Sequence, residues 1–110
     1  MKIGLVSYTY HRFFGDVYTP VQTDPGVRWT MFDLVRKAAE LGVDGVLLDT
    51  GFYPSLDRPF LKQLARAMDE AKLERAVSWG NPNGLNTGKS PEAVQDLLKH
   101  IEVMELYLPP

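Results

Sequence analysis

Two titratable side chains stand where short apolar runs give way to polar residues, His11 and Asp49. An imidazole in the position of His11 can hydrogen-bond a ligand hydroxyl or carry a proton. The alternative is a surface-loop histidine without a role, since loops tolerate many residue types. Asp49 can accept a hydrogen bond from a hydroxyl or act as a base, or it can simply cap the turn that follows it.

Trp79 and His100 each allow two interpretations. Trp79 follows an apolar run and can stack on the apolar face of a sugar ring, or it can plug the core or an oligomer interface. His100 lies on the polar side of the last predicted helix, near its C-terminus. A cation there complements the helix dipole, and this structural role is the preferred interpretation.

The segment Gly84–Ser90, with the sequence GLNTGKS, lies between a predicted strand and a predicted helix, where a phosphate-binding loop would lie. That motif needs four residues between its first glycine and the Gly-Lys pair. Here there are three, and Asn83 occupies the required glycine position. The spacing therefore argues against nucleotide binding. It leaves open that backbone N–H groups at this helix start hold a sugar phosphate.

Composition excludes several classes of function. The chain has 110 residues and no cysteine, which removes disulfides, thiolate catalysis and Cys-type zinc sites. Its formal net charge is −2, so we expect no nucleic-acid or membrane partner held by electrostatics. The apolar N-terminal run is too short for a signal peptide or a membrane span, and we expect a cytoplasmic protein. No nucleophilic triad or paired-histidine metal motif stands out.

Three apolar runs alternate with three amphipathic patterns along the chain. The strands are predicted at Ile3–Tyr8, Val46–Leu48 and Ala76–Trp79. The helices are predicted to begin at the capping residues Thr30, Asp57 and Ser90. Thr30 and Asp33 have capping-box spacing, with Asp where Glu or Gln is usual, and Gly42 is predicted to end the first helix. A turn-rich stretch from Thr9 to Arg28 is predicted as a long loop. Strands that alternate with helices indicate parallel strands joined by right-handed crossovers. We therefore predict an α/β fold of three parallel βα units in a single domain, residues 1–110.

The phrase KAAELGVDGV at Lys37–Val46 resembles the first helix and second strand of the xylose isomerase-like superfamily. The opening MKIGLVSY resembles that superfamily's first strand, and Ser90–Glu102 resembles its third helix. The resemblance implies the first part of a (β/α)₈ TIM barrel and a sugar or sugar-phosphate isomerase or epimerase. It places the active site after the carboxyl ends of the strands.

That placement selects six candidate substrate-binding residues: Tyr8, Tyr10, His11, Asp49, Trp79 and Asn81. Members of the superfamily carry the ligands of a divalent metal (Mn, Mg, Co or Zn) on later strands. No position here matches those ligands. We therefore assign no cofactor to this chain itself, and expect a metal only if a partner supplies the ligands.

A full barrel needs roughly 200 residues or more, so this sequence predicts an incomplete one that is inactive alone. Three strands leave two free edges, and the apolar strand residues should lack full cover. Those residues are Ile3, Leu5, Val46, Leu48 and Val77. We expect a homo-oligomer, or pairing with a complementary barrel fragment, around a sugar or sugar-phosphate ligand. The alternative is a non-catalytic, self-associating barrel remnant that binds a small polyol.

Overall fold

The computed structural model describes residues 1–80, 85 and 89–108. Strands and helices alternate along the chain, and two short 3₁₀ segments follow the first two strands. The strands are β1 (Gly4–Val6), β2 (Gly45–Asp49) and β3 (Glu74–Ser78). The helices are α1 (Met31–Leu41), α2 (Arg58–Glu70) and α3 (Pro91–Tyr107), and the 3₁₀ segments are Ser7–Phe14 and Thr50–Phe52.

The three strands form one parallel sheet in the order β1-β2-β3. Leu5 pairs with Val46, and Leu48 pairs with Val77. Because each strand connects to its parallel neighbour through a helix, the carboxyl ends of all three lie at one edge of the sheet. The prediction of an α/β protein with three parallel strands is confirmed.

Helix α1 has well-defined ends. The Thr30 hydroxyl accepts a hydrogen bond from the backbone N–H of Asp33 at 3.3 Å, and the Asp33 carboxylate accepts from the Thr30 N–H at 2.8 Å. This reciprocal pair is the capping box that the spacing predicted, with Asp in place of Glu. The helix stops at Gly42, whose φ of 73° lies in the left-handed region that glycine enters freely.

Helices α2 and α3 begin differently. Each has a proline in its first turn, Pro59 and Pro91, where the missing N–H costs no hydrogen bond. Neither Asp57 nor Ser90 makes a side-chain capping hydrogen bond, so the predicted cap at these two positions is wrong. Proline placement and burial of the apolar stripe, rather than capping, position these helices.

Gly45 allows β2 and β3 to approach each other. A Cβ placed on it would lie 2.9 Å from the backbone oxygen of Glu74, closer than real contacts of this kind. The close approach occurs in the register in which Gly45 pairs with Glu74. Gly45, the second glycine of the ELGVDGV phrase, is therefore needed for the close pairing of β2 and β3.

The core lies between the sheet and the helices. Val46 and Leu48 of β2 are 3% and 0% exposed, and they pack with fully buried residues of α1 and α2. Those helix residues are Met31, Leu34, Ala38, Leu61, Leu64 and Met68. Of the five strand residues predicted not to be all buried, Val46 and Leu48 are covered, because both lie on the face that the helices occupy. On the same face Leu5 and Val77 are partly buried, and Ile3 is exposed.

The opposite face of the sheet is less well covered. Alternate strand residues point to opposite faces, so Val6, Leu47 and Ala76, which pair across the three strands, share this second face. Val6 and Ala76 are exposed, and Leu47 is partly buried. Exposed apolar side chains therefore lie at Ile3, one of the five predicted residues, and at Val6 and Ala76, which the prediction did not name.

The first strand is shorter than predicted. It ends at Val6, and the chain turns at once into the 3₁₀ segment Ser7–Phe14. The buried Ser7 hydroxyl accepts a hydrogen bond from the backbone N–H of Asp49 at 2.9 Å. A side chain thus replaces the backbone partner that a longer β1 would have offered to β2. The predicted long loop accordingly starts with helical turns rather than with irregular chain.

Candidate functional site

Four side chains form a compact polar and aromatic group beyond the carboxyl end of β1. We call this group the β1 cluster, and its members are Tyr8, His11, Tyr18 and Gln22. The His11 ring stacks on Tyr8 with centroids 4.5 Å apart and an interplanar angle of 12°. It also contacts Tyr18 with a centroid distance of 5.5 Å. The 3₁₀ segment supplies Tyr8 and His11, and the loop after it supplies Tyr18 and Gln22.

Both ring nitrogens of His11 already have partners. Nδ1 lies 2.9 Å from the backbone oxygen of Tyr8, and Nε2 lies 3.1 Å from Oε1 of Gln22. The same Oε1 accepts from the backbone N–H of Tyr18 at 3.0 Å, which fixes the orientation of the amide. A ligand hydroxyl must therefore displace one of these contacts to reach His11. In this arrangement the imidazole fastens the loop to the 3₁₀ segment.

The outer part of the β1 cluster is a pair of phenol hydroxyls. The hydroxyls of Tyr8 and Tyr18 hydrogen-bond each other, and the Tyr18 hydroxyl donates to the Asp16 carboxylate at 3.2 Å. The bond with Tyr8, followed by burial and by Asp16, raises the pKa of Tyr18 well above its usual value. Tyr8 is 42% exposed and Tyr18 47% exposed. Both tyrosines are therefore accessible to a polar ligand.

Asp49 ends β2 at the same edge of the sheet. Its Oδ1 accepts from the backbone N–H of Gly51 at 2.8 Å, which is the turn-capping arrangement. Its Oδ2 has no hydrogen-bond partner in the part of the chain that the structure describes. Asp49 thus caps the turn with one oxygen, and its other oxygen is able to accept a hydrogen bond.

The structure places Tyr10 outside the β1 cluster. Its ring packs against Trp29 with centroids 4.7 Å apart and against the edge of Phe13 at 6.1 Å. Tyr10 is partly buried against the core. It therefore supports the fold of the loop rather than contributing a free polar group. Asn81, the sixth candidate, lies outside the described residues.

Aromatic side chains also line a second feature, a cavity of about 380 Å³ beside α1 and α2. Its walls include Phe14, Trp29, Phe32, Phe52, Tyr53 and Phe60. Phe14 and Phe52 stack with centroids 4.6 Å apart, and Tyr53 meets the Phe60 ring at 5.5 Å. The buried Tyr53 hydroxyl has no hydrogen-bond partner among the residues that the structure describes, and burial followed by the charge of Asp49 raises its pKa. These rings join the loop residues to the core.

Trp79, the candidate after β3, contacts helix α3. Its indole N–H donates to Oδ2 of Asp96 at 2.8 Å. His100, one turn further along α3, has its Nδ1 2.7 Å from the backbone oxygen of Asp96 and 3.5 Å from Oδ1 of the same residue. The Trp79 and His100 rings lie 6.5 Å apart. Trp79 therefore belongs to a second group of polar side chains on the α3 side.

This second group forms part of the wall of a cavity of about 550 Å³ between β3 and α3, which we call the α3 cavity. Sequence reasoning missed it. His100 was predicted to lie near the end of its helix, but α3 continues to Tyr107, so His100 is an interior residue and its predicted dipole role is wrong. Its side chain is 15% exposed and faces the cavity. The i, i+4 spacing of Asp96 and His100 was the available signal.

Comparison with known proteins gives no relative for this chain. No family model matches it, and neither does any curated protein or any solved structure. Its function therefore has to be argued from its own residues.

The described residues contain neither a candidate metal site nor a candidate membrane-spanning helix. Within residues 1–80, 85 and 89–108, no three His, Asp or Glu side chains lie close enough together to hold a metal ion. Across the same ranges no helix combines the length and apolar character needed to cross a bilayer.

Proposed function

We propose that this chain is a sugar or sugar-phosphate isomerase- or epimerase-like protein that holds three βα units of a TIM barrel. It binds a polyol at the carboxyl edge of its sheet. The observation that supports this most strongly is the arrangement at that edge. The accessible hydroxyl pair of Tyr8 and Tyr18 follows β1, and the unpaired Oδ2 of Asp49 ends β2. Hydroxyls and a carboxylate oxygen together match the donors and acceptors of a sugar.

The described residues supply only part of an isomerisation site. Moving a proton next to a carbonyl needs a group within hydrogen-bond reach on each side of that proton. Asp49 can supply one such group, while both nitrogens of His11 are engaged. The described side chains also do not fit a divalent metal, since no group of three ligands is present among them. Catalysis therefore requires further barrel strands, from more of the same polypeptide or from a partner.

The second candidate function is a non-catalytic, self-associating protein that binds a small polyol. The sheet favours it, because Val6 and Ala76 are exposed on the face without helices. Both outer strands also have an unpaired edge in the three-stranded order. A second copy of the chain placed over this face would bury both apolar side chains. A complementary barrel fragment beside β3 is the competing partner.

The polyol site can be tested by saturation-transfer NMR with D-xylose and D-glucose 6-phosphate as probes. We expect saturation transfer to the sugar protons, weakened by Tyr8→Phe and by Asp49→Asn because each removes a polar group that faces the ligand. Lys62→Ala, on the exposed side of α2, is the matched control and should change nothing. If neither probe binds, or if all three variants bind equally, the polyol proposal fails.

Activity and assembly separate the two candidate functions. Exchange of the sugar C2 proton in D₂O with Mn²⁺ present measures isomerase chemistry directly. We expect none from this chain alone, and exchange only when a polypeptide with the remaining strands is added. Sedimentation velocity at micromolar concentration then measures whether the chain is a monomer or a dimer. A dimer disrupted by Val6→Asp supports a second copy over the open face, and a monomer at all concentrations contradicts it.

A further inference from the structure

The α3 cavity has the size of a small-molecule site but a lining unlike that of a sugar site. Its volume of about 550 Å³ lies within the usual range for ligand pockets. Most of its wall is apolar, from residues of β3, α3 and the chain after α3. These residues are Val77, Leu97, Ile101, Met104 and Leu108. A ligand held here must therefore present an apolar body to most of the wall.

One polar atom in this wall lacks a partner. His100 Nδ1 faces two oxygens of Asp96, a backbone oxygen at 2.7 Å and a carboxylate oxygen at 3.5 Å. Both oxygens are acceptors, so Nδ1 carries the proton of the neutral ring and Nε2 carries the lone pair. Among the described residues no group hydrogen-bonds Nε2, and the side chain is only 15% exposed. A ligand O–H or N–H in the cavity would satisfy this acceptor.

Neighbouring contacts keep the imidazole in place. The Asp96 carboxylate accepts the Trp79 indole N–H at 2.8 Å, so it is fixed from the side opposite His100. Trp79 itself also forms part of the cavity wall. The acceptor nitrogen is therefore held by a chain of hydrogen bonds rather than by an independent surface rotamer.

Charge further restricts the ligand. Glu105 contributes to the lining, and Asp96 lies behind His100. Arg75 also lines the cavity, and its guanidinium donates to Asp69 at 2.9 Å and to the backbone oxygen of Ala65 at 3.1 Å. The two carboxylates disfavour an anion, and the Arg75 charge is already balanced by Asp69. The lining thus suits a neutral molecule better than a carboxylate or a phosphate.

From these observations we propose that the α3 cavity binds a neutral, largely apolar small molecule that donates one hydroxyl hydrogen bond to Nε2 of His100. An alcohol or a phenol is the chemical class. This site differs from the proposed polyol site, because its lining includes neither Asp49 nor any residue of the β1 cluster. Thr50, which directly follows Asp49, contributes to its wall. The inference does not depend on the isomerase proposal.

Phenol and toluene are the probes, since they have similar shapes and only phenol donates a hydrogen bond. Titration of the full chain is followed in ¹H–¹⁵N spectra by the indole N–H signals. We expect phenol to shift the Trp79 signal at about millimolar concentration and to bind about five-fold more tightly than toluene. The signal of Trp29 reports on the aromatic cavity beside α1 and α2, whose wall includes Trp29, so probe binding there is distinguished from binding at the α3 cavity.

Variants assign the preference to His100. His100→Phe should remove the advantage of phenol and keep toluene binding, and His100→Leu, which also lacks an acceptor, replaces it if the first variant does not fold. Lys99→Ala, on the exposed side of α3, should keep the full preference. Equal affinity for the two probes in the unmodified chain overturns the proposal, as does an unchanged Trp79 signal with both. Loss of phenol binding as the protein concentration rises also overturns it, because a second copy then occupies the cavity.

Discussion

Helices α2 and α3 each follow a strand in the same way, yet they meet the rest of the molecule differently. On α2 the apolar stripe of Leu61, Leu64 and Met68 is 0% exposed. On α3, by contrast, Leu98 and Ile101 are each 52% exposed. Both helices carry many apolar residues, but those on α2 are buried, whereas Leu98 and Ile101 on α3 are half exposed.

The difference shows what a crossover helix needs from a parallel sheet. Helix α2 connects β2 to β3, and its buried residues belong to the same cluster as Val46 and Leu48 of the central strand. Helix α3 follows β3, and within the described residues no further strand lies beside β3. A helix that packs over two strands buries its whole stripe, whereas one beside an edge strand leaves a gap. The α3 cavity is that gap.

Truncating an apolar side chain should lower the free energy of unfolding far more on α2 than on α3, and this is the largest expected difference. We expect Leu64→Ala to lower the free energy of unfolding by about 3 kcal/mol, because it leaves a void under fully buried neighbours. Ile101→Ala should cost less than about 1 kcal/mol, since half of that side chain is already in water. Urea unfolding followed by circular dichroism measures both. Similar costs for the two variants would mean that α3 is covered in solution, for example by a second copy.

Strand pairing gives the next largest effect. Gly45→Ala should destabilise by about 2 kcal/mol, because the new methyl group meets the Glu74 backbone at 2.9 Å and the strands must separate. Gly80→Ala is the matched control on the β3 side, where no atom of the described residues lies within 4 Å of the added Cβ. It should leave stability unchanged or raise it slightly. Thermal unfolding compares the two, and an equal loss from both would contradict the close approach at Gly45.

The capping box at the start of α1 should give the smallest change in the free energy of unfolding, and that change depends on pH. The Thr30 backbone N–H, with help from its hydroxyl and from Arg36, holds the pKa of Asp33 below its unfolded value of 3.8. A lowered folded-state pKa contributes stability that is present above pH 3.8 and is lost as the pH falls through the folded value. Asp33→Asn should therefore cost less than about 1 kcal/mol at pH 7 and nothing in strong acid.

The control for that prediction lies at the start of α3. Ser90→Ala should change stability little at either pH, since Ser90 makes no side-chain capping bond. Urea unfolding at pH 7 and at pH 2.5, a value chosen to be about one unit below the unfolded carboxyl pKa, checks both variants. A constant cost of Asp33→Asn across this range would show that the Thr30 contact does not control the titration of Asp33.

Features that depend on local sequence were predicted well. Apolar periodicity located all three strands and helices, the Thr30–Asp33 spacing located a capping box, and Gly42 located the end of α1. The parallel order followed from the alternation of strands and helices. Each of these depends on neighbours within one or two helical turns, so the sequence carries the signal directly.

Features that depend on tertiary contacts were not predicted. The length of β1 depends on a hydrogen bond between Ser7 and Asp49, which are 42 residues apart. The side of the sheet on which Val46 and Leu48 lie depends on how α1 and α2 cross it. His100 lines the α3 cavity because α3 continues to Tyr107 and lies beside an edge strand. None of these contacts leaves a periodic signal in the chain.

The hydrogen bond from the Asp49 N–H to the Ser7 hydroxyl lies where β1 has ended and β2 continues, so the two strands end at different levels of the sheet. The last paired residue of β1 is Val6, opposite Leu47, while β2 runs on for two more residues to Asp49. At the usual rise per strand residue, β2 therefore extends about 7 Å beyond β1. The carboxyl edge of the sheet is therefore uneven: the backbone of Tyr8 follows the shorter strand, and the backbone of Asp49 ends the longer one.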